Sequence, residues 1–134
     1  MITKSDLVFL REFAKREYDR RQTLERIRET VDVHSPQFDK IMASGGEERD
    51  RMAEYVVRID EAERRMTMES AEDKARYARI CAEIYMLPAK ELQVVRMRYI
   101  ECHSWGWIRR HTHYSEREVF YIHRNALKIL EGLQ

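Results

Sequence analysis

Apolar residues recur at steps of three and four along most of the chain, the spacing that places them on one face of an α-helix. The first series predicts a helix from about residue 5 to about residue 31, with Ser5 as its N-cap. A break follows between Asp32 and Gly46, where Ser35-Pro36 indicates an extended residue and Ser44-Gly45-Gly46 a flexible turn. The apolar positions of this first helix are Leu7, Leu10, Phe13 or Ala14, Tyr18, Leu24 and Ile27.

A second helix is predicted from Glu47 to Leu87, since no glycine or proline occurs before Pro88. Its apolar residues follow the a and d positions of a heptad repeat, but Glu63, Ser70 and Asp73 share that register, so the middle of the seam is polar. A helix of about 40 residues spans about 60 Å, too long for one small core to cover. We therefore predict that residues 1–87 form an antiparallel coiled-coil hairpin, whose helices pair within one chain or between chains. The apolar seam consists of Met52, Val56, Ile59, Met66, Tyr77, Ile80, Ile84 and Leu87.

The last part of the chain has shorter periodic segments. Pro88 suits the first turn of a helix ending near Glu101, Cys102-His103 forms a turn, and Ser104 caps a helix ending near Thr112. After a turn at His113-Tyr114, Ser115 and Glu118 fit a capping box. Three short helices, the last two joined by a short turn, predict a helix-turn-helix domain over residues 88–134 in an all-α protein. The closing helix is expected to bury Val119, Ile122, Ala126, Ile129 or Leu130, and Leu133.

Composition agrees with long helices. The 134 residues include only 4 glycines and 2 prolines, too few for the many tight turns of a β-sandwich or barrel. The longest apolar run, residues 84–87, is far shorter than a membrane span, and the N-terminal residues lack the apolar core of a signal peptide. Two cysteines cannot form a disulfide framework. These features predict a soluble cytoplasmic protein that does not bind membranes.

The formal net charge of +1 conceals an asymmetry. Residues 1–86 carry 17 basic and 19 acidic side chains, whereas residues 87–134 carry 8 basic and 5 acidic ones. A mildly basic C-terminal segment is compatible with a polyanionic partner but is most often an ordinary solvated surface.

A Leu92/Val95 helix ends in Met97-Arg98-Tyr99, and Ser115 opens a helix with Val119, Ile122 and Ala126-Leu127. With this pattern, residues 87–133 resemble region 4 of the sigma-70 type of bacterial sigma factors. With the charged helical N-terminal part and the stretch Ser35-Pro36-Gln37-Phe38-Asp39-Lys40, the whole chain resembles a phage and prophage family of small sigma-like regulators, the RinA and ArpU type of late-gene activators. The resemblance implies a transcriptional regulator that binds promoter DNA through the second helix of its motif. The matching residues of the C-terminal part are Leu92, Val95, Met97-Arg98-Tyr99, Trp105, Ile108, Ser115, Val119, Ile122, Ala126-Leu127 and Leu130.

The chain departs from the sigma-factor pattern at several positions. The turn residue that is usually glycine is His113, which must then accept a left-handed or strained backbone. Glu116-Arg117 stands where Arg-Glu is common, and Phe120 and Tyr121 replace Arg and Gln. The resemblance therefore implies the scaffold and not a shared target sequence.

Five side chains of the closing helix fall opposite its apolar stripe, at i, i+1, i+4, i+5 and i+8. An α-helix fits the major groove, so these are the predicted base-contacting residues: Glu116, Arg117, Phe120, Tyr121 and Arg124. Arg124 is also a candidate for phosphate contact. The other predicted phosphate contacts are Ser115, Arg109, Arg110 and Lys128. In the alternative interpretation, Phe120 and Tyr121 pack on the N-terminal coil and the arginines are merely solvated.

The other chemically notable side chains are better explained by packing. Trp105 and Ile108 share a helical face and are predicted core residues, Tyr114 is expected to fill the space between the last two helices, and His111 is expected to be partly buried. Trp107 is either an exposed partner-binding aromatic or packs on the preceding helix. Cys102, His103, His111 and His113 lack the paired spacing of structural zinc sites, and no catalytic motif occurs. No metal, cofactor or catalytic residue is therefore predicted.

Three functions are hypothesised for this sequence. The first is a DNA-binding regulator, an activator of phage late genes, whose coil forms a homodimer or contacts RNA polymerase. The second is an adaptor that docks on RNA polymerase without contacting bases. The third is a phage terminase small subunit, which also joins a helix-turn-helix to an oligomeric coil.

Overall fold

The computed structural model describes residues 1–30 and 32–132, and these residues form an entirely α-helical fold. The all-α prediction is therefore confirmed. A π-helical turn at Arg96–Ile100 continues directly from the fourth helix. Within the described residues no helix is both long and apolar enough to cross a bilayer. The predicted core residue Leu133 lies outside the described residues. The helices are α1 (Lys4–Thr30), α2 (Pro36–Ser44), α3 (Glu47–Ile84), α4 (Ala89–Val95), α5 (Trp105–Thr112) and α6 (Glu116–Leu130).

The chain divides into two compact units. The core unit comprises residues 1–14 and 73–134, and the middle unit comprises residues 15–72. The first residues of α1 and the last residues of α3 thus belong to the same unit as α4, α5 and α6.

The core unit contains two hydrophobic clusters. The first joins α1 and α3 to α4 and α6, through Leu10, Ile84, Val95 and Leu130 among others. The second lies within the C-terminal helices and consists of Val94, Met97, Ile108, Val119 and Ile122. The predicted seam residues Ile80, Ile84 and Leu87 are all buried, and so is the predicted polar seam residue Asp73.

The middle unit pairs α1 with α3 in an antiparallel manner. Ser70 Oγ lies 3.0 Å from both carboxylate oxygens of Glu17, and Arg28 Nε donates to Glu63 Oε1 at 2.8 Å. Arg20 forms an ion pair with Glu17. The predicted polar middle of the seam is therefore occupied by hydrogen-bonded groups, which fix the register of the two helices where apolar burial is slight.

The N-terminus of α1 corrects one predicted cap. The helix begins at Lys4, one residue from the predicted start, but Thr3 and Asp6 form the capping pair in place of Ser5. The Asp6 amide donates to Thr3 Oγ1 at 3.2 Å, and the Thr3 amide donates to Asp6 Oδ2 at 3.0 Å. This amide hydrogen bond and the Arg76 guanidinium lower the pKa of the Asp6 carboxyl, although burial acts in the opposite direction.

Two further predictions for the first 46 residues are wrong. Tyr18 is 58% exposed, because the inward position one residue earlier is taken by Glu17 and its hydrogen bonds. The interval between Asp32 and Gly46 contains the helix α2, which Ser35 caps by accepting from the Phe38 amide at 3.1 Å. Ser35 itself is extended before Pro36, as predicted.

The predicted helix from Pro88 to about Glu101 forms, but its last turn is not α-helical. The α-helical part ends at Val95, and the next turn is a π turn in which the Glu101 amide donates to the Arg96 carbonyl at 2.9 Å. Such wide turns inside helices are rare and are frequently found at functional sites. Here the segment positions Tyr99 for a hydrogen bond to His123 on α6.

The connection between α5 and α6 follows the predicted sequence signals. Ser104 accepts from the Trp107 amide at 3.1 Å, and Ser115 accepts from the Glu118 amide at 3.2 Å. The Ser115 hydroxyl in turn donates to Glu118 Oε1. His113 has φ 61° and ψ 15°, so the residue at the usual glycine position does adopt the left-handed conformation.

Substitutions at position 113 should change the free energy of unfolding according to how well the new residue tolerates the left-handed conformation. We expect His113→Val to lower the free energy of unfolding by about 1–2 kcal/mol, because a β-branched residue is strained at positive φ. His113→Gly should match or exceed the wild-type stability, since glycine adopts this conformation without steric cost. Urea denaturation followed by circular dichroism measures both, and equal stability of the two variants would contradict a left-handed residue 113.

Candidate nucleic-acid interface

The predicted base-contacting residues lie together on the exposed face of α6. Glu116, Arg117, Phe120, Tyr121 and Arg124 are all exposed, whereas the opposite stripe of the same helix is buried. This face borders a shallow groove. The residues that line the groove are Ser115, Arg117, Glu118, Phe120, Tyr121 and Arg124. The groove combines cationic, anionic and aromatic groups on one side of a helix.

The residues predicted to contact phosphates are placed around this face. Arg109 and Arg110 are exposed near the end of α5, where they line a second shallow groove with Gly106, and Lys128 is exposed on α6. Arg109 Nη1 lies 3.8 Å from Glu116 Oε2, a loose ion pair between two largely exposed side chains. Such a pair contributes little to stability, so both groups are free to exchange partners. Ser115 differs, because its hydroxyl both donates to and accepts from Glu118.

Phe120 does not stand alone on this face, because its ring lies against Trp105. The two ring centroids are 5.3 Å apart with an interplanar angle of 54°. Trp105 was predicted to be a core residue and is half-buried beside the second cluster. The contact was not predicted, since nothing in the spacing of the two residues shows that α5 and α6 bring them together. Phe120 therefore packs within its own unit while it remains 41% exposed.

A second missed feature lies behind the exposed face. The Tyr99 hydroxyl and His123 Nε2 form a hydrogen bond of 2.7 Å, and their rings stack with centroids 5.7 Å apart. Burial, and to a lesser extent the positive charge of Arg98, lower the pKa of His123. Burial likewise raises the pKa of Tyr99. Both groups are therefore held in their neutral forms near neutral pH.

The alternatives for Trp107 are settled by its neighbours. Its indole is half-buried and stacked between the rings of His103 and His111, at centroid distances of 3.4 and 3.7 Å. Trp107 packs against the second cluster and is not a freely exposed aromatic. The prediction for His111 is wrong, because this residue is exposed while its ring stacks on Trp107. Tyr114 is half-buried against the same cluster, as predicted.

The cysteines and histidines do not converge on one point. Within the described residues no three or more His, Cys, Asp or Glu side chains are grouped so that they could hold a metal ion. Cys81 is half-buried beside Tyr77, and burial raises the pKa of its thiol. Cys102 is exposed, with φ 61° and its Sγ directed at backbone carbonyls.

The lowered pKa of His123 predicts a pH dependence of stability. The unfolded chain takes up a proton near the ordinary pKa of 6.5, whereas the folded protein does so only at lower pH. The free energy of unfolding should therefore decrease as the pH falls below about 6.5, until the folded-state pKa is reached. Denaturant titrations at pH 7.5, 6.5 and 5.5 measure this loss.

His123→Gln tests the assignment, because glutamine keeps a hydrogen-bonding partner for Tyr99 but does not titrate. We expect a smaller loss of stability between pH 7.5 and 5.5 in this variant than in the wild type. His34→Gln, at an exposed histidine, is the matched control and should retain the wild-type slope. An unchanged slope in His123→Gln would assign the pH dependence to another group.

Comparisons with known proteins give no family to which the chain can be assigned. No protein-family model matches it, and no curated protein or solved structure is significantly similar to it. A function for this chain must therefore be argued from the exposed face of α6 and its surroundings.

Proposed function

We propose that this protein is a sequence-specific transcriptional regulator that binds double-stranded DNA by placing α6 in the major groove. The observation that carries the proposal is the division of α6 into a buried stripe and an exposed face holding Arg117, Phe120, Tyr121 and Arg124. The N-terminal half of a recognition helix directs its side chains at base edges in this arrangement.

The exposed face offers complementary chemistry for several bases. Arg117 is able to donate two hydrogen bonds to guanine, and Glu116 is able to accept one from the amino group of cytosine. Phe120 and Tyr121 offer apolar surface for a thymine methyl group. Each good bidentate contact provides roughly 1–3 kcal/mol of discrimination against a wrong base.

Contacts to phosphates would come from the flanks of this face. Arg109, Arg110 and Lys128 are exposed cations of the core unit, and phosphate contacts position a helix without selecting a sequence. Ser115 would need to break its hydrogen bond with Glu118 before its hydroxyl could donate to a phosphate. We therefore assign the salt-dependent part of the affinity to the three cations.

The resemblance to sigma-factor region 4 supports promoter DNA as the class of target. It also supports the proposal that the protein acts in the cytoplasm of a bacterial host, as a phage late-gene activator that works together with RNA polymerase. The adaptor alternative draws on the exposed rings of Phe120 and Tyr121, which suit a protein surface as well as a base edge.

The middle unit supports association with a second copy of the chain. Among its described residues Ala62 alone is buried, although apolar residues recur along both of its long helical segments. Residues 15–30 carry six basic and four acidic side chains, whereas residues 47–72 carry five basic and nine acidic ones. In a two-fold dimer the basic segment of each copy would face the acidic segment of the other. A dimer would also present two copies of α6 to two DNA half-sites.

DNA binding is tested by fluorescence anisotropy with fragments of the genomic region that encodes the protein, followed by footprinting. We expect tight binding to one fragment with a steep salt dependence. Arg117→Ala should weaken binding to that fragment by about 1–3 kcal/mol and relax the preference at one base pair. Replacing Arg109 and Arg110 by alanine should weaken binding to all fragments alike and reduce the salt slope by about 1 for each lost phosphate contact.

Arg79→Ala is the matched control, because Arg79 is an exposed arginine of the core unit that does not lie on α6. It should leave both affinity and sequence preference unchanged. Equal, weak and salt-insensitive binding to every fragment would contradict DNA recognition and favour the adaptor, whose signature is stable copurification with RNA polymerase.

Self-association is tested by sedimentation equilibrium over a range of protein and salt concentrations. We expect a mass of twice 16.3 kDa at micromolar concentration, with weaker association at high salt because exposed charges are screened. Arg21→Glu combined with Arg26→Glu should shift the equilibrium towards the monomer, whereas Lys4→Glu, in the core unit, should not. A monomer throughout would refute the dimer, and a ring-sized oligomer would favour a terminase small subunit.

A further inference from the structure

Trp105 is held from three sides in the core unit. The Arg98 guanidinium carbon lies 4.6 Å from the centre of the Trp105 ring system, and the His123 ring meets Trp105 edge-on at 4.9 Å. Phe120 covers a third side at 5.3 Å. Arg98 lies in the π turn, whereas Phe120 and His123 both lie on α6, so the orientation of Trp105 is a property of the folded unit.

The two residues that flank Trp105 are themselves anchored by hydrogen bonds. Arg98 Nη1 donates to the His103 carbonyl at 3.1 Å, and His123 pairs with the Tyr99 hydroxyl at 2.7 Å. Side chains fixed in this way restrict the rotamers open to the indole between them. Trp105 consequently offers Phe120 a surface whose position does not depend on DNA.

Phe120 and Tyr121 therefore differ in how freely they move. Phe120 packs one side of its ring on Trp105 and leaves 41% of the residue exposed, whereas Tyr121 is 70% exposed. Immobilising a free side chain on binding costs entropy, and a side chain that is already held avoids much of that cost. Of the two aromatic residues, Phe120 is the better suited to an apolar contact at a fixed position.

We propose that Phe120 selects a thymine at one position of the DNA site by contacting its C5-methyl group, and that Trp105 is the positioning residue that holds the Phe120 ring. The inference rests on the proposed function, because it requires α6 to lie in the major groove. There the thymine methyl is the apolar group that distinguishes a T·A pair, since cytosine carries only hydrogen at the same carbon. A hydrocarbon ring edge gains from burying that methyl and has no hydrogen bond to offer the other bases.

The test uses deoxyuridine, which pairs as thymidine does but lacks the methyl group. In the footprinted duplex each thymidine is replaced in turn, and affinity is measured by anisotropy with the full-length protein. We expect one position at which the replacement weakens binding about fourfold, the effect of removing one buried methyl group. Phe120→Ala should remove this discrimination, while Tyr121→Ala should retain it.

The positioning role is measured by the same ratio of affinities. Trp105→Leu should reduce the thymidine preference while the guanine preference that depends on Arg117 persists. A merely structural role would instead weaken binding to both duplexes equally. Trp107→Leu is the matched control, because Trp107 stacks on His103 and His111 and not on Phe120. Trp105→Tyr keeps an aromatic surface and should restore part of the preference, which keeps the test valid if Trp105→Leu fails to fold.

The possible failures are distinguishable. Binding that depends on Arg117 but is insensitive to deoxyuridine at every position would overturn the role of Phe120 and leave the proposed function intact. A thymidine preference that disappears in Tyr121→Ala and persists in Phe120→Ala would assign the methyl contact to Tyr121 and overturn the role of Phe120. Absence of Arg117-dependent DNA binding would refute the proposed function and this inference with it.

Discussion

Val119 and Ile122 lie in one hydrophobic cluster, while Ala126 and Leu130, farther along the same stripe of α6, lie in the other. Burying aliphatic side chains of this size stabilises a fold by roughly 1.5–3 kcal/mol each, whereas the exposed pair between Arg109 and Glu116 contributes at most about 1 kcal/mol. The orientation of α6 is therefore set by its buried stripe. Its opposite face points outward as a consequence, independently of any contact that the exposed residues make.

The features that were predicted correctly from the sequence are those encoded over a few neighbouring residues. Ser115 and Glu118 are three positions apart, and the capping hydrogen bonds between them depend on little beyond that spacing. The left-handed His113 was expected because it occupies the turn position that is usually glycine in the sigma-factor pattern. The grouping of the five exposed residues on α6 follows from the helical period alone, so the sequence is sufficient to predict the candidate face.

The features that were missed depend on residues that are distant in sequence. The hydrogen bond between Tyr99, which lies in the π turn at Arg96–Ile100, and His123 joins segments more than twenty residues apart. Glu17 occupies an inward position because Ser70 lies opposite it and donates to its carboxylate. A carboxylate is tolerated at a helix interface when its oxygens are hydrogen-bonded. The contact between Trp105 and Phe120 belongs to the same class, and it changes the interpretation of the candidate site.

The two units are held together by different interactions. In the core unit, apolar burial holds α6 in place. Such support is needed by any helix that presents side chains at fixed positions. In the middle unit the interface between α1 and α3 contains the ion pair of Arg20 and Glu17 and the hydrogen bonds of Ser70, which specify register but add little net stability. A pair of helices with so little burial gains most from apolar surface supplied by another molecule. The second copy proposed above would supply such a surface to the segments of residues 15–30 and 47–72.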